Sequence, residues 1–187
     1  MYQTSDIRNG LKIEMDGYPW TVVYFQFVKP GKGTAFTRIK MKNLITGSVL
    51  ERTYRTGETL EPADVEEVTM QYLYKDGEDW LFMNQETYEQ VPISKTALGD
   101  NHQWLLDEAT CRVMLYKGRP VSVEVPTFVE LEVTYTEPGA RGNTATGTGK
   151  SATLSTGAVV QVPLFIEQGE VLRIDTRTGE YVERVKK

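Results

Sequence analysis

Apolar and polar residues alternate along nearly the whole chain, in runs that Gly, Pro, Asn and Asp separate. Residues 11–15 read Leu-Lys-Ile-Glu-Met and are followed by Asp16-Gly17, a pair typical of a tight hairpin turn. Similar period-two runs recur to the end of the chain, whereas the one convincing helical stretch is short, from Ser94 to about Leu106. The pattern therefore predicts an all-β protein.

Two seams divide the 187 residues into three blocks of similar length. One lies at Glu61-Pro62-Ala63-Asp64 and the other at Val125-Pro126-Thr127. Each block contains about five short strands, which favours small β-barrels of the SH3-like or oligonucleotide-binding type. We predict three domains, at residues 1–64, 65–127 and 128–187, and we expect such small cores to pack against one another.

The composition excludes several classes of site. With one histidine and one cysteine, the chain lacks the ligands for structural zinc and cannot form a disulfide within itself. We predict no metal and no catalytic group. No apolar run approaches the roughly 18 residues of a membrane span, and the first residues show no signal pattern, so a cytoplasmic protein without membrane association is expected.

The net charge of −5 argues at first sight against a nucleic-acid partner, but the charge is unevenly distributed. The first block holds 9 basic and 7 acidic residues, the second 5 and 11, and the third 7 and 8. No acidic residue lies between Gly17 and Leu50, whereas five basic residues do: Lys29, Lys32, Arg38, Lys40 and Lys42. The positive charge is thus concentrated in one segment of the first block.

This segment predicts a hairpin arm with a lysine at its tip. Pro30 and Gly31 suit the two central positions of a type II turn, which leaves Lys32 at the tip between Gly31 and Gly33. We call residues 29–33 the tip loop. Three basic residues spaced by two form a cationic stripe on one face of the following strand: Arg38, Lys40 and Lys42. Such an arm would attract a phosphate backbone, although a solubilising turn on an ordinary hairpin has the same pattern.

Other candidates for chemistry are weaker. The Gly/Thr-rich segment 136–151 resembles a nucleotide-binding P-loop, but Thr144 stands where the first glycine of that motif is required. It remains a candidate binding loop. His102 has no nucleophile or metal cluster beside it in the sequence, and Cys111 falls on the core face of a strand. An aromatic cluster is expected to pack in a core rather than stack on bases: Tyr72, Tyr74, Trp80 and Phe82.

Two specific motifs lie in different parts of the chain. One is the tip loop, Lys29-Pro30-Gly31-Lys32-Gly33, with the Ala35-Phe36 that follows it. The other is a carboxy-terminal signature at Lys150, Ala152, Gly157, Val160, Val162-Pro163, Ile166 and Gly169. Through the spacing of these two motifs the sequence resembles the bacterial elongation factor P family, and the resemblance covers its whole length.

The resemblance implies an SH3-like (KOW-type) domain followed by two OB-fold domains in an L-shaped, tRNA-like arrangement. It implies a translation factor, not an enzyme, that binds both ribosomal subunits between the peptidyl and exit sites. There it would contact the P-site tRNA and stimulate peptide-bond formation at consecutive prolines. Lys32 would reach toward the CCA end of the tRNA. In many relatives a separate enzyme extends the residue at the tip covalently, so Lys32 is a possible modification site. The resemblance implies no cofactor.

Two further sites follow from the same resemblance. The loop Gly142-Asn143-Thr144 would approach the small subunit, although many relatives have Asp where this chain has Asn143. Tyr181 and Arg184 would face the tRNA. Two alternative functions remain at this stage: an elongation-factor-P-like paralogue with different client messages, and a general single-strand RNA-binding module.

Overall fold

The computed structural model describes residues 1–139 and 149–186, which form three antiparallel sheets. The first sheet contains six strands in the order β1-β6-β2-β3-β4-β5. Their bounds are β1 (Tyr2–Gln3), β2 (Lys12–Met15), β3 (Tyr18–Val28), β4 (Phe36–Asn43), β5 (Val49–Arg55) and β6 (Thr59–Pro62). A 3-10 helix, Thr4–Asp6, follows β1.

The predicted turn between β2 and β3 is present. Asp16 and Gly17 have φ angles of 54° and 80°, and Met15 pairs with Tyr18, as in a two-residue type I′ hairpin. The sheet encloses a core of buried apolar side chains: Ile7, Ile13, Trp20, Val22, Ile39, Met41, Tyr54 and Leu60. This core fixes which face of each strand is turned to solvent.

The second sheet has the strand order β11-β10-β7-β8-β9. Its strands are β7 (Val65–Asp76), β8 (Asp79–Asn84), β9 (Gln90–Ile93), β10 (Thr110–Tyr116) and β11 (Arg119–Glu124). Of the aromatic cluster, Tyr72, Trp80 and Phe82 are buried as predicted, whereas Tyr74 is exposed. Cys111 of β10 is also buried, as predicted.

Only part of the helix predicted from Ser94 to Leu106 is an α-helix. Helix α1 covers Lys95–Leu98, and a 3-10 helix continues from Gly99 to Trp104. Gly99 has a φ of 58°, a conformation outside the right-handed helical region, so the α-helix ends there. Ser94 precedes the helix but forms no capping hydrogen bond through its side chain.

The third sheet has the strand order β14-β13-β12-β15-β16. Its strands are β12 (Phe128–Thr136), β13 (Gly149–Leu154), β14 (Val159–Pro163), β15 (Val171–Asp175) and β16 (Glu180–Arg184). Its fully buried side chains include Leu131, Leu154, Ile166 and Leu172. The all-β class is therefore confirmed.

The chain divides into two compact units. One comprises residues 1–68 together with 113–122, and the other comprises 69–112 together with 123–187. The two predicted domain boundaries, after residues 64 and 127, stay predictions. In the described part of the chain, no helix has the length and apolarity that crossing a lipid bilayer requires.

Neighbouring residues of β4 give a direct test of the first core. Ile39 is fully buried and Lys40 is exposed, so Ile39→Ala should lower the free energy of unfolding by about 2–5 kcal/mol, whereas Lys40→Ala should change it by about 1 kcal/mol or less. Denaturant titration of the two variants measures both changes. Equal effects would contradict the assigned facing of β4.

Candidate functional site

The hairpin of β3 and β4 carries the tip loop beyond its last paired residues. The ladder between the two strands ends at the pair Val28 and Phe36, and residues 29–35 make the connection. On β4, Ile39 and Met41 are fully buried against the core. Since side chains alternate along a strand, the cationic stripe is held on the solvent face, as the spacing predicts.

The three basic side chains of the stripe have different neighbours. Lys40 lies between Tyr24 of β3 and Glu51 of β5 in the strand register. Its Nζ is 3.7 Å from Glu51 Oε1 and 5.9 Å from the Tyr24 ring centroid. Arg38 lies 6.0 Å from the Phe36 ring centroid. Within the described residues, Lys42 has no carboxylate within 4.0 Å.

The Lys40–Glu51 pair does not neutralise the stripe for a larger partner. The side chains of Lys40 and Glu51 are 50% and 61% exposed, and an exposed ion pair of this kind contributes at most about 1 kcal/mol to stability. A phosphate group approaching Lys40 would compete with Glu51 at little cost. The stripe therefore presents three positive groups on one face of one strand.

The tip loop differs from the predicted type II turn. That turn requires a positive φ at Gly31, but the positive φ belongs to Gly33, at 105°. The reversal is spread over a seven-residue connection between Val28 and Phe36, so no two-residue turn is needed. Lys32 is exposed, and no ion pair to it occurs in the part of the chain described.

The structure brings Tyr181 and Arg184 to one face of β16. Residues three apart on a regular strand point to opposite faces, but Tyr181 pairs with Ile174 and Arg184 with Leu172, with a bulge between them. Both buried partners belong to the inner face of β15. The bulge, which sequence spacing does not reveal, therefore places Tyr181 and Arg184 side by side.

These two residues line a pocket of about 560 Å³ together with Phe165 and Glu170. The Arg184 guanidinium lies 4.6 Å from the Phe165 ring centroid, and its Nη1 is 3.2 Å from Glu170 Oε1. Phe165 is 56% exposed. Sequence reasoning missed Phe165, because it lies between Leu164 and Ile166 in an apolar run that signals only burial. The pocket combines an aromatic surface, a cation and a phenol hydroxyl.

The third predicted site, Gly142-Asn143-Thr144, lies outside the described residues. The structure does describe the glycines on either side of that segment. A Cβ at Gly139 would lie 2.6 Å from the Leu164 carbonyl oxygen, and one at Gly149 would lie 2.9 Å from that of Val162. Both positions therefore require glycine for close backbone approach.

His102 and Cys111 pack against other parts of the protein: His102 lies against an aromatic ring, and Cys111 is buried. The His102 ring lies 5.4 Å from the Trp80 ring, and burial raises the pKa of the Cys111 thiol to about 11. In residues 1–139 and 149–186, no three His, Cys, Asp or Glu side chains are grouped closely enough to hold a metal ion.

Comparison with protein families gives three matches in order along the chain. Residues 3–60 match the elongation factor P (EF-P) KOW-like domain, residues 65–123 match the EF-P OB domain, and residues 129–184 match the elongation factor P C-terminal domain. Together the matches account for most of the chain. They confirm the predicted order of a KOW-like domain followed by an OB domain.

Two solved structures are similar to this chain in fold. Eukaryotic translation initiation factor 5A from Methanococcus jannaschii is 20% identical, with a TM-score of 0.55 over 66% of this chain and 92% of that one. A translation initiation factor eIF-5A family protein from Naegleria fowleri is 18% identical, with a TM-score of 0.50 over 66% and 96% of the respective chains. At these identities the likeness concerns the fold.

The two glycines of the tip loop should respond differently to alanine. Gly31→Ala adds a methyl group in open space at a residue without a positive φ, whereas Gly33→Ala places a side chain at a φ of 105°. The second change costs about 1–3 kcal/mol locally and should move the loop. Amide NMR spectra should therefore show shifts throughout residues 29–36 for Gly33→Ala and only beside the substitution for Gly31→Ala. Equal perturbation by both variants would contradict the assigned loop conformation.

Proposed function

Because the chain belongs to the elongation factor P family and is a translation elongation factor, we propose that it binds the ribosome between the peptidyl and exit sites. There it contacts the P-site tRNA and stimulates peptide-bond formation at consecutive prolines. Members of the family interact with the ribosome and with tRNA, and they generally act without an active site of their own. The exposed Lys32, at the end of an arm that carries the cationic stripe, is the observation that supports this proposal.

The physical basis of the proposal is the poor reactivity of proline. Its secondary amine is sterically constrained, so the reaction depends strongly on how the reacting groups are held. A factor that orders the end of the P-site tRNA lowers the barrier through positioning and electrostatics, while the ribosome performs the chemistry. In this proposal the protein acts in the cytoplasm, where it meets translating ribosomes.

Lys32 is the proposed contact with the CCA end. Its side chain is exposed and lies between two glycines, and among the described residues no carboxylate within 4.0 Å would compete with a phosphate for it. The same accessibility suits covalent extension of the amine by a separate modifying enzyme, which would lengthen its reach. We propose Lys32 as the modification site as well as the contact.

Two other surfaces support the contact with RNA in this proposal. The cationic stripe of Arg38, Lys40 and Lys42 offers positive groups to phosphates near the tip. At the other end of the chain, Tyr181 and Arg184 are proposed to contact the P-site tRNA, where Phe165 holds the guanidinium of Arg184. The loop Gly142-Asn143-Thr144 is proposed to approach the small subunit.

Replacement of Lys32 tests the central contact. Lys32→Ala should leave folding unchanged, because the side chain is exposed, and should reduce stimulation at consecutive prolines by about tenfold or more. The rate of peptide-bond formation on a Pro-Pro message in a reconstituted translation system measures this loss. Lys95→Ala, at an exposed lysine of α1, serves as the matched control and should retain full activity. Full stimulation by Lys32→Ala would refute the proposed role of the tip.

Salt dependence tests the cationic stripe. If Lys42 contacts a phosphate, Lys42→Ala should weaken ribosome binding and reduce the slope of log K against log salt concentration by about one unit. Glu51→Gln releases Lys40 from its ion pair and should strengthen binding instead. Equilibrium binding to ribosomes at several salt concentrations measures both effects, with free single-stranded RNA as comparison. An unchanged slope in Lys42→Ala would exclude a phosphate contact of Lys42. If the unaltered protein bound free single-stranded RNA as tightly as it binds ribosomes, a general RNA-binding module would be favoured.

A further inference from the structure

Three side chains fasten two hairpin turns together within the unit formed by residues 1–68 and 113–122. The turns are Asp16-Gly17, between β2 and β3, and Lys117-Gly118, between β10 and β11. The Tyr116 hydroxyl donates a hydrogen bond to the Glu14 carboxylate, and Lys117 Nζ lies 3.2 Å from Glu14 Oε1. We call Glu14, Tyr116 and Lys117 the clasp.

Further contacts surround the clasp. The Tyr116 hydroxyl oxygen is 3.4 Å from the Gly17 carbonyl oxygen, and the Lys117 ammonium lies 5.2 Å from the Tyr116 ring centroid. The backbone N–H of Lys117 donates to the Asp64 carbonyl at 2.9 Å. The hairpin of β10 and β11 therefore meets the first sheet at the β2–β3 turn and also at the segment after β6.

The clasp is more than an ordinary surface ion pair. Only 18% of the Glu14 side chain is exposed, and Tyr116 is 9% exposed. The hydrogen bond from Tyr116, followed by that from Lys117, lowers the pKa of the Glu14 carboxyl, so the group is ionised at neutral pH. A partly buried carboxylate that loses one of two charge-assisted partners is left poorly solvated, which makes each member of the clasp matter.

The clasp lies at one end of the strand whose other end carries the tip loop. Strand β3 is eleven residues long, beginning at Tyr18, directly after the clasped turn, and ending at Val28, directly before Lys29. At about 3.3 Å per residue, the strand spans roughly 35 Å. A tilt of about 5° at the clasped end of such an arm would displace its far end by about 3 Å, a distance that decides whether a hydrogen bond forms.

We propose that Glu14, Tyr116 and Lys117 are positioning residues for Lys32, because they fix the clasped end of the arm against the β10–β11 hairpin. This inference rests on the proposed contact of Lys32 with the tRNA. The clasp touches no substrate. Its effect is to hold the arm in one orientation before the ribosome is bound, so that binding need not order it.

Distance measurements in the free protein test the clasp without reference to activity. Spin labels at Thr34→Cys and Arg119→Cys, both exposed positions, report the separation of the arm from the hairpin by pulsed electron paramagnetic resonance. The native Cys111 is buried with a thiol pKa of about 11, so it should not react with the label at neutral pH. The unaltered clasp should give one narrow distance distribution.

Substitutions in the clasp should broaden that distribution at least twofold. Glu14→Gln removes the charge, Tyr116→Phe removes the hydroxyl, and Lys117→Met removes the ammonium while keeping the length of the side chain. The exchanged pair Glu14→Lys with Lys117→Glu restores opposite charges and should narrow the distribution again. Ile39→Val is the matched control. It weakens the core of the first sheet without touching the clasp, so the width of the distance distribution should stay unchanged.

Translation assays separate positioning from chemistry. Each clasp variant should require several-fold more factor for half-maximal stimulation at Pro-Pro codons while approaching the same maximal rate, whereas Lys32→Ala should lose the maximal rate. Unchanged distance distributions in all three single variants, or no recovery in the exchanged pair, would overturn the positioning role. Full activity of Lys32→Ala would instead overturn the proposed contact of Lys32 with the tRNA, and the distance widths would still decide whether the clasp holds the arm.

Discussion

The antiparallel pairing of β3 with β4 determines both the core of the first sheet and the surface that it presents. Ile39 and Met41 are fully buried, and because side chains alternate along a strand, Arg38, Lys40 and Lys42 must point to solvent. A register slip of one residue would bury three cations and expose the core. The cationic stripe is therefore fixed by the same apolar contacts that hold the hairpin together, and the tip loop continues directly from its last pair.

Much of the fold could be predicted because strand formation depends on local alternation and on short turn signals. Asp16-Gly17 specifies its own backbone conformation, and the structure shows both φ angles positive, as expected. The tip loop was predicted less well, since it contains two glycines and either can take a positive φ. Which one does so depends on how seven residues close the gap between Val28 and Phe36, and that is a property of the flanking strands. The sequence pattern likewise predicted an α-helix as far as Leu106, but the positive φ of Gly99 ends the α-helix at Leu98.

The candidate sites show the same division between local and distant causes. Exposure of Lys32 and of the stripe followed from local spacing. The proximity of Tyr181 and Arg184 required a bulge in β16, and their aromatic neighbour Phe165 comes from another segment. The clasp was beyond sequence reasoning, because Glu14 and Tyr116 are separated by 102 positions and neither stands in a recognisable motif. Contacts of this kind depend on which hairpin ends meet, a consequence of tertiary folding.

Net charge was a poor guide to partners because screening limits how far a charge acts. At physiological ionic strength the Debye length is about 8 Å, so a phosphate beside the stripe responds to the nearest few side chains rather than to the total of −5. Each contact of this type is weak and salt-sensitive. The stripe and Lys32 lie on one hairpin, however, so in our proposal phosphate contacts along β4 would raise the effective concentration of the lysine at its own target. That gain exists only if the hairpin is stiff, since a loosely held arm spreads the same lysine over a larger volume. The buried pairing of β3 with β4 supplies this stiffness along the arm, and in our proposal the clasp supplies it at the end.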